Sequence, residues 1–269
     1  MHSLLPEELS EYATAYDLSD AVAQRDYVAV RVAHAIASDA RVGGVLAVKG
    51  GFALRYGYGS RRTSKDIDGT IGTKHSALDP KRLQRVVRSQ CADLQITFDP
   101  KNPAIGVDSL DFGNLEYIGP AGRGVLTLEM SYREDLLLPA RILEIEAFGV
   151  PKFGIRALAI DEMVAEKWRC LVQRSPSRPG DPYDLWYLWS EFSKRKPRSE
   201  DDIIDGAGVK RLVPRKVTLH NARASLETAI DQYEAVWSGA IGDVLPSDAP
   251  SFGEVRKAVM DASRAWTPW

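Results

Sequence analysis

Residues 45–71 decide the fold of this chain, and they read VLAVKGGFALRYGYGSRRTSKDIDGTI. The apolar run at 45–48 predicts a short buried strand. The turn Lys49-Gly50-Gly51 ends that strand, and the residues at 52–58 predict the start of a helix. A glycine pair between a strand and a helix favours phosphate, because its N–H groups and the helix N-terminus both attract an anion.

Two aspartates follow in a stretch, 65–71, where polar and apolar residues alternate. In a strand, Asp66 and Asp68 therefore share one face about 7 Å apart, and Ile67 lies on the other. Such a pair can hold Mg²⁺, or Mn²⁺ in its place, for phosphoryl transfer from a nucleoside triphosphate (NTP). A bare Asp-x-Asp is also common on solvated strands. The prediction of a metal site therefore depends on the glycine turn, on Lys49 beside it and on further basic residues in the loop.

These motifs carry a resemblance to a known family. The stretch from Val48 to Arg55, followed by Arg62-x-Ser64-x-Asp66-Ile67-Asp68, resembles the first motif of the AbiEii/AbiGii family. That family comprises nucleotidyltransferase toxins of bacterial toxin–antitoxin and abortive-infection systems, including the mycobacterial MenT toxins, within the polymerase-beta-like superfamily. The resemblance implies an α/β (α+β) fold in which a mixed sheet is flanked by helices and a helical C-terminal domain follows. It also implies that the nucleotide is bound by Lys49, Gly50, Gly51, Ser64 and Arg62.

The resemblance to the superfamily implies a third carboxylate from a later strand. In the apolar–polar alternation at 125–131, Glu129 lies on the face opposite Leu126 and Leu128, and it resembles the family's third metal ligand. Asp108 and Asp111 are alternatives, although both are predicted to lie in a loop.

The helix predicted at 161–174 contains a lysine on its apolar side. Lys167 lies four residues from both Met163 and Leu171, so its ammonium group must reach solvent or meet an anion. The pair Glu166-Lys167 matches a family motif, and by resemblance Lys167 binds the triphosphate.

The next motif offers two aspartates. The family typically has Arg-Asp-x-x-Asp-Leu where this chain has Gly180-Asp181-Pro182-Tyr183-Asp184-Leu185, so glycine replaces the arginine and Arg178 is a candidate substitute. Asp181 is the first choice for the functional aspartate and Asp184 is the alternative. A purely structural role is also open, in which Asp181 caps a helix that starts at Pro182.

The composition fits a globular protein in a reducing compartment. The chain has 269 residues, 44% hydrophobic residues, a net charge of −2 and two cysteines. No apolar stretch approaches the roughly 20 residues of a membrane span, and the N-terminus does not resemble a signal peptide. We therefore expect a cytoplasmic protein with no membrane partner.

The pattern of elements changes near residue 155, which predicts a catalytic domain at 1–155 and a helical domain at 156–269. The helices and strands predicted outside the motifs are helices at 19–40, 78–94, 182–194, 218–237 and 252–266, and strands at 94–98, 114–118 and 141–147.

The resemblance implies a magnesium-dependent transferase that moves a nucleoside monophosphate from an NTP to an acceptor. It also implies that the acceptor is an RNA, the tRNA 3′ end, and that an antitoxin restrains the enzyme. The basic clusters at 194–198 and 210–216 offer contacts for an RNA backbone, and solvated loops explain them equally well. Two alternatives stay open: an aminoglycoside-type nucleotidyltransferase or kinase-like phosphotransferase, with Ser64 as phosphoacceptor, and a non-catalytic relative that binds a nucleotide or a protein.

Overall fold

A computed structural model describes residues 4–71, 78–99, 104–105, 109–132, 136–173, 178–192 and 222–266. The chain divides into two compact units. The first unit comprises residues 1–59 and 63–158, and the second comprises residues 60–62 and 159–269. The short segment Ser60–Arg62 thus belongs to the second unit, although its neighbours in sequence belong to the first.

The first unit contains five helices and eight strands in its described residues. The helices are α1 (Pro6–Ala15), α2 (Asp20–Ser38), α3 (Ala40–Gly43), α4 (Gly50–Tyr58) and α5 (Pro80–Gln90), with a 3₁₀ turn at Ala92–Leu94. The strands are β1 (Ala47–Lys49), β2 (Asp66–Thr70), β3 (Thr97–Phe98), β4 (Ala104–Ile105), β5 (Ser109–Gly119), β6 (Gly122–Ser131), β7 (Arg141–Ile145) and β8 (Phe153–Ala157).

The strands form one mixed sheet in the order β3-β5-β6-β2-β1-β8-β7, and β4 pairs with β5. Strand β2 runs parallel to β6 and antiparallel to β1, so it is central. Helix α2 contacts β6 and β8 and is buried over most of its length, including Val28, Val30 and Val32 at 0% exposure. This burial against the sheet places α2 in the core of the unit.

The β1–α4–β2 segment explains how the motif residues are placed. Ile67 is fully buried, whereas Asp66 and Asp68 are only half-buried on the opposite face of β2. Helix α4 begins directly after β1, and its C-terminal residue is followed by Gly59 at φ 77°, a left-handed conformation that favours glycine. Helix α4 contacts both β1 and β2, so the strands and the glycine turn form one compact element.

The second unit is helical in its described residues. Its helices are α6 (Ile160–Gln173), α7 (Gly180–Trp186), α8 (Ala222–Asp231), α9 (Glu234–Ala240) and α10 (Phe252–Trp266), and a π-helical turn at Tyr187–Phe192 continues α7. Helix α7 packs against α6 and α10, and α6 packs against α8. Trp168, Leu171 and Leu185 are fully buried and form part of the core of this unit.

The structure confirms most predicted elements and corrects several. The predicted helix at 218–237 is wrong as one element, because α8 and α9 are separate helices; residues 218–221 lie outside the described part. The strand predicted at 94–98 is shorter, because Ala92–Leu94 is a 3₁₀ turn and only Thr97–Phe98 pairs. Asp111 lies on β5 and not in a loop, while Asp108 and the basic clusters at 194–198 and 210–216 lie outside the described residues.

None of the helices in the described part of the chain is long and apolar enough to cross a membrane.

Candidate functional site

One row of four charged residues crosses the sheet of the first unit. Lys49 on β1 pairs with Asp68 on β2, Asp68 pairs with Glu129 on β6, and Glu129 pairs with Asp111 on β5. Directly paired residues of neighbouring strands present their side chains on the same face, so this row brings three acids and one base together. Glu129 and Asp111 are exposed, and Lys49 and Asp68 are half-buried.

Asp66 lies on the same face, two residues before Asp68. It pairs with Thr127 on β6, and its Oδ1 accepts a hydrogen bond of 2.7 Å from the hydroxyl of Ser64. Ser64 is itself buried, and its carbonyl oxygen accepts a hydrogen bond of 3.1 Å from Nε of Arg25 on α2. The predicted phosphate contact at Ser64 therefore has a second interpretation, in which its hydroxyl fixes the orientation of Asp66.

The glycine turn lies against Asp68. Gly50 has φ 66°, a left-handed conformation that favours glycine. A Cβ atom at Gly50 would lie 3.0 Å from Oδ2 of Asp68. Any side chain at this position would therefore both strain the backbone and push the carboxylate away. The absence of a side chain at residue 50 lets the carboxylate approach the N-terminus of α4.

The donor set fits magnesium bound together with a substrate. Among the described residues, no group of three or more His, Cys, Asp or Glu side chains is arranged to hold a metal ion. Mg²⁺ in phosphoryl-transfer enzymes commonly takes one or two carboxylates and completes its shell with phosphate oxygens and water. Asp66 and Asp68 supply two such carboxylates on one face, and Asp68 lies at the glycine cradle where a phosphate would find N–H donors.

A second group of charged residues lies inside the helical unit. Nζ of Lys167 on α6 is 2.7 Å from Oδ1 of Asp181 and 2.8 Å from Oδ2 of Asp184, both on α7. Asp184 is fully buried, Asp181 is nearly so, and the side chain of Lys167 is 13% exposed. The lysine on the apolar side of its helix thus meets two anions, as the sequence required.

Arg62 completes this group. Its Nε and Nη2 donate to the two carboxylate oxygens of Asp184 at 2.5 and 2.7 Å, a bidentate ion pair. The two residues of this ion pair are 122 positions apart in the sequence. We refer to Arg62, Lys167, Asp181 and Asp184 as the buried charge cluster; its two cations and two anions sum to zero.

The pKa values follow from this geometry. Burial raises the pKa of a carboxyl group, but the charges of Arg62 and Lys167 outweigh it and hold the pKa of Asp184 below its usual value. Burial lowers the pKa of an ammonium group, but Asp181 and Asp184 outweigh it and hold the pKa of Lys167 above its usual value. Lys167 and Asp184 therefore both stay charged at neutral pH.

The helix start near Asp181 differs from the prediction. Helix α7 begins at Gly180, its N-cap residue is Pro179, and no side chain caps it. The structural interpretation of Asp181 as a cap is therefore wrong, since Asp181 lies inside the first turn and bonds to Lys167.

The predicted site residues thus form one group in each unit. Lys49, Gly50, Gly51, Ser64, Asp66, Asp68 and Glu129 belong to the first unit, and Arg62, Lys167, Asp181 and Asp184 belong to the second. Sequence reasoning undervalued Asp111, which it placed in a loop. The alternation of buried and exposed residues along β5 was the available signal, but a β-bulge between Asp111 and Asn114 interrupts it.

Comparison with known proteins gives one family and several similar folds. The family model described as "Nucleotidyl transferase AbiEii toxin, Type IV TA system" matches residues 34–261. A search of curated protein sequences found no match.

Three solved structures share the fold. MenT4, a nucleotidyltransferase toxin from Mycobacterium tuberculosis, is 18% identical with a TM-score of 0.63, over 97% of this chain and 88% of that one. A putative nucleotidyltransferase from Helicobacter pylori is 16% identical with a TM-score of 0.60, over 92% and 95%. JHP933, also from Helicobacter pylori, is 17% identical with a TM-score of 0.59, over 92% of each chain.

Proposed function

The chain belongs to the AbiEii family of nucleotidyltransferase toxins, and we propose that it transfers a nucleoside monophosphate from an NTP to an acceptor hydroxyl with the help of Mg²⁺. The observation that carries this proposal is the position of Asp66 and Asp68. They share the open face of β2, and Asp68 lies against Gly50 at the start of α4. Metal ligands and an anion-binding backbone thus meet in one element.

Asp66 and Asp68 would hold the metal, and Glu129 lies beside Asp68 as a further carboxylate of the same row. When bound, Mg²⁺ would supply a Lewis acid that offsets the negative charge of the phosphate groups. Ser64 keeps one oxygen of Asp66 in a fixed direction through its 2.7 Å hydrogen bond. Gly50 and Gly51 offer backbone N–H groups to a phosphate, and Lys49 adds a positive charge to the same row.

The reaction requires one proton transfer and one substitution at phosphorus. The acceptor hydroxyl attacks the α-phosphorus of the NTP, the bond to the β-phosphate breaks, and pyrophosphate leaves. The proton of the hydroxyl passes to a carboxylate of the Asp68–Glu129–Asp111 row.

Lys167 is proposed as an anion-binding group of the helical unit. An ammonium group has three N–H donors. Within the described residues, Asp181 and Asp184 account for two of them. One donor is therefore left for a phosphate oxygen, and the raised pKa of Lys167 keeps that donor charged.

We further propose that the acceptor is an RNA, namely the 3′ end of a tRNA, and that an antitoxin of a type IV system restrains the activity. The family description supports the toxin–antitoxin context. The acceptor is proposed from the resemblance to the family.

The experiment uses NTPs labelled at either the α- or the γ-phosphate, incubated with the protein, Mg²⁺ and total tRNA. We expect the α-label to appear on the 3′-terminal nucleotide of tRNA and the γ-label to leave as pyrophosphate. Addition of a chelator should stop the transfer.

Other outcomes identify the alternatives. The γ-label on the protein at Ser64 would indicate a phosphotransferase, for which the contact between the Ser64 hydroxyl and Asp66 is the supporting observation. The α-label on an aminoglycoside and not on tRNA would indicate a small-molecule transferase. NTP binding without transfer to any acceptor would contradict catalysis.

A further inference from the structure

Gly180 lies under the guanidinium group of Arg62. A Cβ atom at residue 180 would be 3.0 Å from Cζ, 3.2 Å from Nε and 3.2 Å from Nη1 of Arg62. Because Gly180 lies within the right-handed start of α7, its backbone conformation alone does not demand glycine. The close approach of Arg62 explains the residue instead: the missing side chain leaves room for a flat guanidinium group.

The guanidinium group in that space is held rigidly. Both oxygens of Asp184 accept hydrogen bonds from Arg62, and the side chain of Arg62 is only 7% exposed. A planar group bound through two parallel hydrogen bonds has a defined orientation as well as a charge. Arg62 therefore fixes the rotation of the Asp184 carboxylate.

The fixed orientation of the Asp184 carboxylate in turn constrains the ammonium group of Lys167. Its Oδ2 accepts from Nη2 of Arg62 at 2.7 Å and lies 2.8 Å from Nζ of Lys167. The same oxygen is thus shared by a guanidinium and an ammonium group, so a movement of Arg62 would move the partner of Lys167. Asp181 holds the ammonium from a second side at 2.7 Å.

We propose that Arg62 is a positioning residue for Lys167 and acts through Asp184. The absence of a side chain at Gly180 leaves the space that the guanidinium group of Arg62 occupies. Arg62 then serves the nucleotide site by aiming the remaining N–H donor of Lys167 and does not itself bind phosphate. The consequence for activity rests on the proposed function, whereas the position of the Lys167 ammonium group does not.

Two substitutions, Arg62→Lys and Gly180→Ala, test this positioning role. Arg62→Lys keeps the charge but cannot form a bidentate pair with a carboxylate. Gly180→Ala keeps Arg62 but places a methyl group 3.0 Å from its guanidinium carbon. Arg61→Lys is the matched control, because Arg61 belongs to the same segment and its ion pair with Asp248 is exposed.

The first readout is the ¹H–¹⁵N correlation spectrum of lysine ammonium groups. The Lys167 signal, identified by its loss in Lys167→Arg, should be visible in the native protein because two buried carboxylates protect it from exchange. It should shift in Arg62→Lys and in Gly180→Ala and stay in place in Arg61→Lys. An unchanged signal in Arg62→Lys, or no signal in the native protein, would overturn the proposal.

Gly180→Ala also provides an independent test in case Arg62→Lys misfolds. If Arg62→Lys does not fold, as judged by circular dichroism, Gly180→Ala decides the matter, because it retains every charge. A shifted signal in Arg62→Lys with an unchanged one in Gly180→Ala would overturn the role given to Gly180.

The second readout is nucleotidyl transfer at varied NTP concentration. If Arg62 acts by positioning, Arg62→Lys should lower kcat/KM about as much as Arg62→Gln, by roughly tenfold or more in each. A direct phosphate contact predicts instead that Arg62→Lys keeps most of the native kcat/KM and Arg62→Gln loses it. If the native protein shows no transfer at all, the proposed function fails while the ammonium spectrum still tests the positioning role.

Discussion

The two groups of charged residues differ in how their charges are balanced. The row on the sheet contains Asp68, Glu129 and Asp111 against a single base, Lys49, and its members are half-buried or exposed. The buried charge cluster has two cations and two anions within hydrogen-bonding distance of one another. The row gains from a cation supplied with the substrate, whereas the charges of the cluster already balance one another. The comparison predicts that substitutions in the row affect activity with little effect on stability, and that substitutions in the cluster affect stability as well as activity.

The largest effect is expected for Asp68→Asn. Removal of one of two proposed metal ligands should lower nucleotidyl transfer by about 10³-fold or more. Its thermal stability should change little, because the substitution removes both an attraction to Lys49 and a repulsion from Glu129. Transfer rates and thermal unfolding measured on the same sample check both statements. A large loss of stability would contradict the division between the row and the cluster.

Lys167→Met should have the largest effect on stability. It removes the ammonium partner of two buried carboxylates, those of Asp181 and Asp184, and breaking such a buried pair costs about 3–5 kcal/mol. Denaturant unfolding of the native protein and the variant measures this difference. Lys49→Met, at a half-buried position of the row, is the matched control and should cost far less. Equal losses for the two variants would contradict the comparison.

A buried ion pair in the first unit predicts a pH dependence. Asp26 on α2 contacts Arg55 on α4 at 2.7 Å, and burial raises the pKa of Asp26 from 3.8 to about 6 against the opposing charge of Arg55. Between these values the native state binds more protons than the unfolded state, so the free energy of unfolding falls as the pH rises.

Denaturant unfolding at several pH values across this range tests the assignment. Asp26→Asn should flatten the decline, since the amide does not titrate. The same slope in the native protein and in Asp26→Asn would show that other groups cause the dependence.

The smallest effect is expected for Arg61→Ala. Arg61 and Asp248 form an ion pair with both side chains more than half exposed, and exposed pairs contribute about 0–1 kcal/mol. Unfolding in low and high salt should differ little between the variant and the native protein. A loss comparable to that of Lys167→Met would show that exposure does not separate strong from weak ion pairs here.

The local parts of the fold were predictable from sequence because local patterns encode them. The helix at 19–40 and the strand–turn–helix at 45–58 follow from apolar periodicity and glycine placement, and α2, β1 and α4 lie there. Helix α1 was missed, although Pro6 at its first position followed by Glu7 and Glu8 is a recognisable helix start. Strand β8 was missed because it is short and lies where the predicted composition changed.

The two groups of site residues were predictable to different degrees. Asp66 and Asp68 share a face by the two-residue period of a strand, so their placement needed no tertiary information. The ion pair of Arg62 with Asp184 spans 122 positions, and no periodicity connects such residues. The requirement for glycine at position 180 could not be predicted from the sequence either, because it depends on a contact with the side chain of Arg62.

The central claim is that Asp66 and Asp68 hold magnesium for a triphosphate. Calorimetric titration with a non-hydrolysable NTP analogue, with Mg²⁺ or with chelator, tests it without knowledge of the acceptor. We expect Mg²⁺ to tighten binding by about tenfold or more in the native protein, about 1.4 kcal/mol, and to have no effect in the Asp66→Asn/Asp68→Asn double variant. The same tightening by Mg²⁺ in both proteins would contradict the claim.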